Sequence, residues 1–139
     1  MKQLYFICAA IIILGSPYNS AKESMQSSTP LYNTKWLLKK IYDRGKEEAV
    51  NTKSFIRFDK EKGGAGGNGS CNSFGSSTTI NANEISFKNI FSTKMYCEAV
   101  QQIETSFFSR LENANRFVIE HNILSLYHDK ELLLEFSAE

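Results

Sequence analysis

The chain has 139 residues, of which 42% are hydrophobic and 12% aromatic, so it is long and apolar enough for one domain with a real core. Its 16 basic and 15 acidic side chains give a formal net charge of +1. Proteins that bind nucleic acids usually carry a basic excess or a basic face, and the longest basic cluster here is the pair Lys39–Lys40. The composition therefore argues against a nucleic acid as a partner.

Residues 1–21 have the pattern of a secretory signal peptide. Lys2 gives a basic start, the apolar run Leu4–Leu14 follows, and small residues end the segment. The run is about half the ~20 residues that a membrane-spanning helix needs. We expect cleavage after Ala21, a periplasmic or secreted location, and no membrane association afterwards. A lipid anchor on Cys8 and an uncleaved anchor are weaker alternatives, because most of the apolar run follows Cys8.

Cleavage at that point would leave two cysteines, Cys71 and Cys97. An even number of cysteines in an oxidising compartment usually indicates a disulfide. Two buried free thiols are the alternative. A disulfide would remove Cys71 from any role as a nucleophile.

The next stretch, residues 22–32, is polar and rich in serine, which predicts a flexible leader. The folded domain is expected at 33–139. Its first strand is predicted at 35–42, where Trp36 and Leu38 alternate with lysines.

A turn of charged residues is expected at 43–48, and the segment Gly63–Gly75 then holds six of the eight glycines of the chain. Glycine at this density indicates backbone that bends or lies close to other backbone. Alternating apolar and polar residues predict most of the remaining short strands, and the serine- and threonine-rich stretch 75–80 predicts an exposed or edge strand. These strands are expected at 54–59, 75–80, 84–88, 116–120, 123–128 and 132–136.

One amphipathic helix is predicted at 98–112, with Glu104 among its polar positions. Its apolar positions recur at intervals of three and four residues and are Val100, Ile103, Phe107 and Leu111. Because strands and helices do not alternate, a parallel doubly wound sheet is excluded. A mainly β (α+β) domain must cover its sheet edges. We therefore predict a small antiparallel, partly closed β-barrel with the helix covering or plugging one end.

The residues Gly64–Gly69 match the letters of the dinucleotide-binding motif G-x-G-x-x-G. That motif needs a following helix whose N-terminus holds the pyrophosphate, and no helical period follows here. His121 and His128 flank one predicted strand seven residues apart, so they should face opposite sides of it. We expect no nucleotide, no metal, no other cofactor and no catalytic site.

Several motifs in order resemble one family. They are the W-x-L start at Trp36, Gly69–Phe74 (GSCNSF), Thr93–Cys97 (TKMYC) and the L-x-L tail from Leu124. The chain resembles the META domain, or HslJ-like (DUF306), family of bacterial periplasmic and lipoprotein domains over about residues 33–139. The signature positions are Trp36, Leu38, Gly67, Cys71, Asn72, Phe74, Thr93, Met95, Cys97, Leu124 and Leu126.

This resemblance implies a β-barrel-like fold, lipocalin-like in its broad topology, with one helix. It also implies an envelope location and an association with heat-shock or stress tolerance, and it brings no catalytic residues. The chain departs from the pattern at Ser70, where the family has glycine, and at Gly75-Ser76, where it has glycine-tyrosine. We expect Ser70 to relax the tight turn slightly.

The function we expect is that of an exported, monomeric, non-enzymatic domain with a stress-related or binding role, in which a Cys71–Cys97 disulfide ties the helix to the glycine segment. One alternative is a carrier of a small apolar ligand or lipid in the barrel interior, although a filled core would use the same residues. The residues that would line this site are Phe74, Phe87, Phe91 and Phe107. A second alternative is an inhibitor or assembly partner of another envelope protein.

Overall fold

The computed structural model describes residues 27–139. The signal peptide predicted at 1–21 and the first part of the predicted leader lie outside the described residues. Within 27–139 the fold is mainly β, with nine antiparallel strands and one helix, as the sequence predicts. In chain order these elements are β1 Trp36–Asp43, β2 Lys46–Ala49, β3 Phe55–Asp59, β4 Gly64–Asn68, β5 Ser73–Asn81, β6 Glu84–Ser92, α1 Gln101–Asn113, β7 Arg116–Glu120, β8 Ile123–His128 and β9 Glu131–Ala138.

The strands form a ring. Consecutive strands pair from β3 through to β9, and β1 closes the ring by pairing with both β9 and β3. The thinnest junction is between β6 and β7, which share the single register pair Glu84↔Arg116. Helix α1 packs against β6 and β9. This arrangement is consistent with the predicted partly closed barrel.

Strand β2 lies outside the ring and corrects the charged turn expected at 43–48. It pairs with β1 through a tight hairpin in which Arg44 and Gly45 have φ of 48° and 79°. Two successive residues at positive φ match the twist of the flanking strands. All four residues of β2 are exposed, and its sequence KEEA contains no apolar alternation. Sequence periodicity therefore does not predict this strand.

Large apolar side chains fill the interior of the ring. The alternation of the strands turns them inward, and each such burial contributes roughly 1.5–3 kcal/mol. In β1 the alternation shifts at a bulge between Leu38 and Lys40, which brings Ile41 into the core. The largest fully buried hydrophobic side chains are Trp36, Leu38, Ile56, Phe107, Leu111, Leu124, Leu126, Leu134 and Phe136.

Helix α1 begins three residues later than the predicted start at 98. Phe107 and Leu111 are fully buried and enter the core from the helix. The ring of Phe107 packs edge-on against Phe74 at 5.6 Å and against Phe136 at 6.0 Å between centroids. The helix therefore packs into the core against aromatic side chains of β5 and β9. Within 27–139 no helix is long and apolar enough to cross a membrane.

The last residues of the stretch predicted as a flexible leader, 22–32, belong to the packed fold. Leu31 is buried, and its carbonyl oxygen accepts a hydrogen bond from Nε1 of Trp36 at 3.0 Å. The hydroxyl of Thr34 donates to the carbonyl of Pro30 at 2.7 Å. A buried indole N–H requires a partner, and this segment supplies it.

Candidate functional site

The site begins at the turn between β4 and β5. The N–H of Gly69 donates to the carbonyl of Asn72 at 2.8 Å, which closes the turn. A Cβ on Gly69 would lie 2.7 Å from Cγ of Glu104 and 2.7 Å from Cζ of Phe108. Real Cβ atoms do not approach that closely, so glycine allows the helix to reach the turn.

Glu104, on helix α1, is the carboxylate at the centre of the site. It is only 2% exposed. Its Oε2 accepts the backbone N–H groups of Cys71 at 3.0 Å and Asn72 at 2.6 Å, and its Oε1 accepts Nδ2 of Asn72 at 2.6 Å. A buried carboxylate is tolerated only with such partners, and bonds to a charged acceptor are strong. The sequence pattern predicts only a polar helix position at Glu104 and no role for it.

Asn72 links Glu104 to the segment between β6 and α1 by hydrogen bonds. Its Oδ1 accepts the hydroxyl of Thr93 at 2.7 Å and the N–H of Met95 at 2.8 Å, while Nδ2 also donates to the carbonyl of Met95 at 3.0 Å. With the bond to Glu104, both donors and both lone pairs of the amide are used. Asn72 therefore fixes the position of Met95.

The predicted pair Cys71 and Cys97 forms a disulfide, with Cα atoms 5.9 Å apart and a sequence separation of 26. The carbonyl of Cys97 accepts the N–H groups of Val100 and Gln101, at 3.1 and 2.9 Å, just where helix α1 begins. The disulfide therefore ties the start of the helix to the glycine turn, in parallel with Glu104.

These connections hold a stretch that we name the exposed segment, Phe91–Tyr96. Within the described residues, the large hydrophobic side chains that are exposed are Phe91 at 70%, Met95 at 59% and Tyr96 at 77%. Phe91, one of the four residues that would line the interior in the apolar-carrier alternative, lies outside it. A register shift between β5 and β6, with Asn89 at a φ of 54°, reverses the alternation after Phe87 and turns Phe91 outward over Gly75.

A groove of about 530 Å³ lies between the exposed segment and helix α1. The side-chain oxygen Oε1 of Gln101, at the groove, is buried and bonds no described residue. The carboxylates of Glu104 and Glu112 also line the groove, and Nζ of Lys94 donates to the hydroxyl of Ser92 at 3.4 Å on the facing wall. The groove therefore contains one buried acceptor that is unpaired within the described chain, and its lining includes two carboxylates and one ammonium group.

The family model of the META domain matches residues 29–139. The chain belongs to the META domain family. The match includes Leu31, in agreement with its packed position.

Two solved structures share the fold of this META domain. One is the NMR structure of a protein from Burkholderia xenovorans, with a TM-score of 0.67, 21% identity, and coverage of 78% of this chain and 83% of that one. The other is a second NMR structure, with a TM-score of 0.56, 20% identity, and coverage of 75% and 87%. No curated protein matches the sequence.

The signature positions of the META domain divide into two groups in the structure. Those in the core are Trp36, Leu38, Phe74, Leu124 and Leu126, all buried. Those around Glu104 and the exposed segment are Cys71, Asn72, Thr93, Met95 and Cys97. Gly67 belongs to neither group and lies in β4 against β3.

The histidines of this META domain lie outside the site. His121 occupies a turn at a φ of 57°, and Nδ1 of His128 lies 2.8 Å from the carbonyl of Asn113. Both are exposed. Among residues 27–139 no group of three or more His, Cys, Asp or Glu side chains could hold a metal ion.

Proposed function

We propose that this META domain is an exported, non-enzymatic domain that binds another envelope protein through its exposed segment. The observation that carries the proposal is the exposure of Phe91, Met95 and Tyr96 within six residues. Single exposed hydrophobic residues are common, whereas a group of them indicates an interaction surface. Aromatic residues and methionine are also enriched in the cores of protein interfaces.

The exposed segment is held in place before any partner arrives. Asn72 bonds both backbone groups of Met95, and the disulfide at Cys97 fixes the next turn of chain. A surface that is already ordered loses little conformational entropy on binding. This preorganisation supports a role in binding.

The filled core argues against the alternative of an apolar-ligand carrier. Phe74, Phe87 and Phe107 are buried in one continuous hydrophobic cluster, and Phe91 lies outside it.

The hydrogen bonds of the buried carboxylate support a non-enzymatic role, because Glu104 already accepts three of them from the turn. A general base would need a free lone pair facing a substrate.

Site-directed photo-cross-linking tests the binding role. A benzoylphenylalanine in place of Tyr96, in the native host, should give a discrete adduct with one envelope protein. The matched control carries the same group at Lys130, an exposed position on the β8–β9 hairpin. Met95→Ser should reduce the adduct formed from position 96 without changing the melting temperature. Equal adducts from both positions, or none from position 96, would contradict the proposal.

Export and the stress role are proposed on the sequence pattern of residues 1–21 and on the family resemblance. Mass spectrometry of the protein from the periplasmic or secreted fraction should find a chain that begins near Lys22. Survival after heat shock should fall when the gene is deleted and should recover with the wild-type gene but not with Met95→Ser. Intact Met1 in the purified protein would contradict export by cleavage.

A further inference from the structure

The backbone of the exposed segment around Met95 is hydrogen-bonded on one side, to Asn72, and unpaired on the other within residues 27–139. The N–H and the C=O of Met95 both point to the amide of Asn72. In a planar trans peptide, the C=O and the N–H of the next residue point in opposite directions. The carbonyl of Lys94 and the N–H of Tyr96 therefore point away from Asn72. Neither of these two groups bonds a residue in the described part of the chain.

These two groups form a pairing edge. When two strands run parallel, a carbonyl and an N–H that flank one residue both bond a single residue of the neighbouring strand. That residue would donate its N–H to the carbonyl of Lys94 and accept the N–H of Tyr96. On the other side, the side chain of Asn72 bonds the N–H and the C=O of Met95 itself. β6 ends at Ser92, so this pairing edge lies just beyond a strand. Unpaired edges of strands are templates for strand addition.

The groove beside the edge indicates which side chain the added strand would carry. Oε1 of Gln101 is a buried acceptor without a described partner, and an unpaired buried polar atom costs about 1–3 kcal/mol. Glu112 adds an exposed carboxylate, and Glu104 lines the same groove. Lys94 contributes the one cation on the groove wall, against these two carboxylates. A basic side chain would therefore balance the charge of the groove.

We propose that the exposed segment binds its partner by strand addition, taking an extended peptide whose backbone pairs with Lys94 and Tyr96 and whose arginine or lysine side chain enters the groove between Gln101 and Glu112. This inference rests on the proposed function and specifies the chemistry of the partner. Apolar neighbours of the basic residue would cover Met95 and Tyr96, since successive side chains of a strand project to opposite faces.

A direct test uses the mature protein and synthetic peptides. The probe is a capped peptide of about nine residues, alternating threonine and valine with a central arginine, a length typical of a strand. Titration followed by ¹⁵N NMR should shift the amide signal of Tyr96 and the side-chain signal of Gln101. The arginine peptide should bind about tenfold more tightly than the same peptide with a central glutamate. Equal affinities, or no binding by either peptide, would overturn the inference.

A pair of variants isolates the backbone bond. Tyr96→Pro removes both the side chain and the N–H, whereas Tyr96→Ala removes only the side chain. Tyr96→Pro should bind the arginine peptide about tenfold more weakly than Tyr96→Ala, with equal melting temperatures. If both bind it equally, strand addition is wrong, even if the cross-linked adduct from position 96 still supports the binding role.

Sedimentation of the protein without peptide separates a second copy of the chain from a foreign peptide. A constant monomeric sedimentation coefficient is expected across concentrations. Self-association that Tyr96→Pro abolishes would show that the edge pairs with another copy, and this would overturn the assignment of a basic peptide.

Discussion

Glu104 accepts hydrogen bonds from both nitrogens of Asn72, each at 2.6 Å, although 32 residues separate the two in sequence. This contact joins helix α1 to the glycine turn. Because Asn72 also holds Met95, the position of the exposed segment depends on a carboxylate on the helix. The core and the proposed binding surface are thus connected through one buried polar network.

Loss of the charge on Glu104 should destabilise the fold. In Glu104→Gln, the new NH₂ group cannot accept the N–H groups of Cys71 and Asn72 that now bond Oε2, or the Nδ2 donor that bonds Oε1, so at least one buried donor is left unpaired. The free energy of unfolding in urea should fall by about 2–3 kcal/mol. Glu112→Gln, an exposed change on the same helix, should stay within about 0.5 kcal/mol of wild type. Equal stability of the two variants would show that the network contributes nothing.

The disulfide between Cys71 and Cys97 should be present in the mature protein and should stabilise it. Thiol titration of unfolded, unreduced chains that lack residues 1–21 should find no free thiol, and two after reduction. Closure of a loop with a sequence separation of 26 contributes about 3 kcal/mol in the loop-entropy account. The double variant Cys71→Ser/Cys97→Ser should therefore unfold at lower urea. Two thiols before reduction would contradict the pairing.

Much of the core could be predicted from sequence, because the alternation of a strand is local information. Trp36 and Leu38, and Leu124 and Leu126, alternate with polar or less buried neighbours and are buried as expected. The departures come from features that reset this alternation. The bulge after Leu38 turns Ile41 inward, and the shift near Asn89 turns Phe91 outward.

The centre of the site could not be predicted in the same way. The burial of Glu104 depends on backbone N–H groups at Cys71 and Asn72, which only the tertiary fold brings near. One signal was available. Glu104 lies four residues after Val100 and three before Phe107, on the apolar stripe of the helix, where a carboxylate requires buried donors.

Ser70 stands where the family pattern has glycine, and its φ of 103° is a conformation that a Cβ disfavours. The turn therefore keeps the backbone conformation that suits glycine, and the expectation that Ser70 relaxes it is wrong. Ser70→Gly should release that strain but lose the bond between the hydroxyls of Ser70 and Ser54. Ser70→Ala loses the same bond and keeps the strain. We expect the glycine variant to be more stable than the alanine variant by about 1–2 kcal/mol in urea unfolding. Equal midpoints for the two variants would show that the backbone here is not strained.

Gly67 should tolerate no side chain. A Cβ there would overlap the carbonyl oxygen of Phe55 and lie 3.2 Å from Cα of Ile56, both in the paired strand β3. Backbone in a ladder cannot move aside cheaply, so Gly67→Val should cost at least about 2 kcal/mol of unfolding free energy. Ser77→Val, at an exposed position of β5, is the control and should be close to neutral. An unchanged melting temperature for Gly67→Val would refute the close packing of β3 and β4.

The start of the domain can be tested through its one tryptophan, Trp36, which is fully buried. A chain that begins at residue 33 lacks the Leu31 carbonyl that accepts the indole N–H, and it also lacks the buried Leu31 side chain. Relative to a chain that begins at residue 27, it should lose about 2–4 kcal/mol, measured by urea unfolding with tryptophan fluorescence. Leu31→Ala in the longer chain keeps the carbonyl and should lose only the side-chain part, about half of the total. If the shorter chain is as stable as the longer one, residues 27–32 add nothing to the fold, and the boundary at 33 inferred from the polar composition is the physical one.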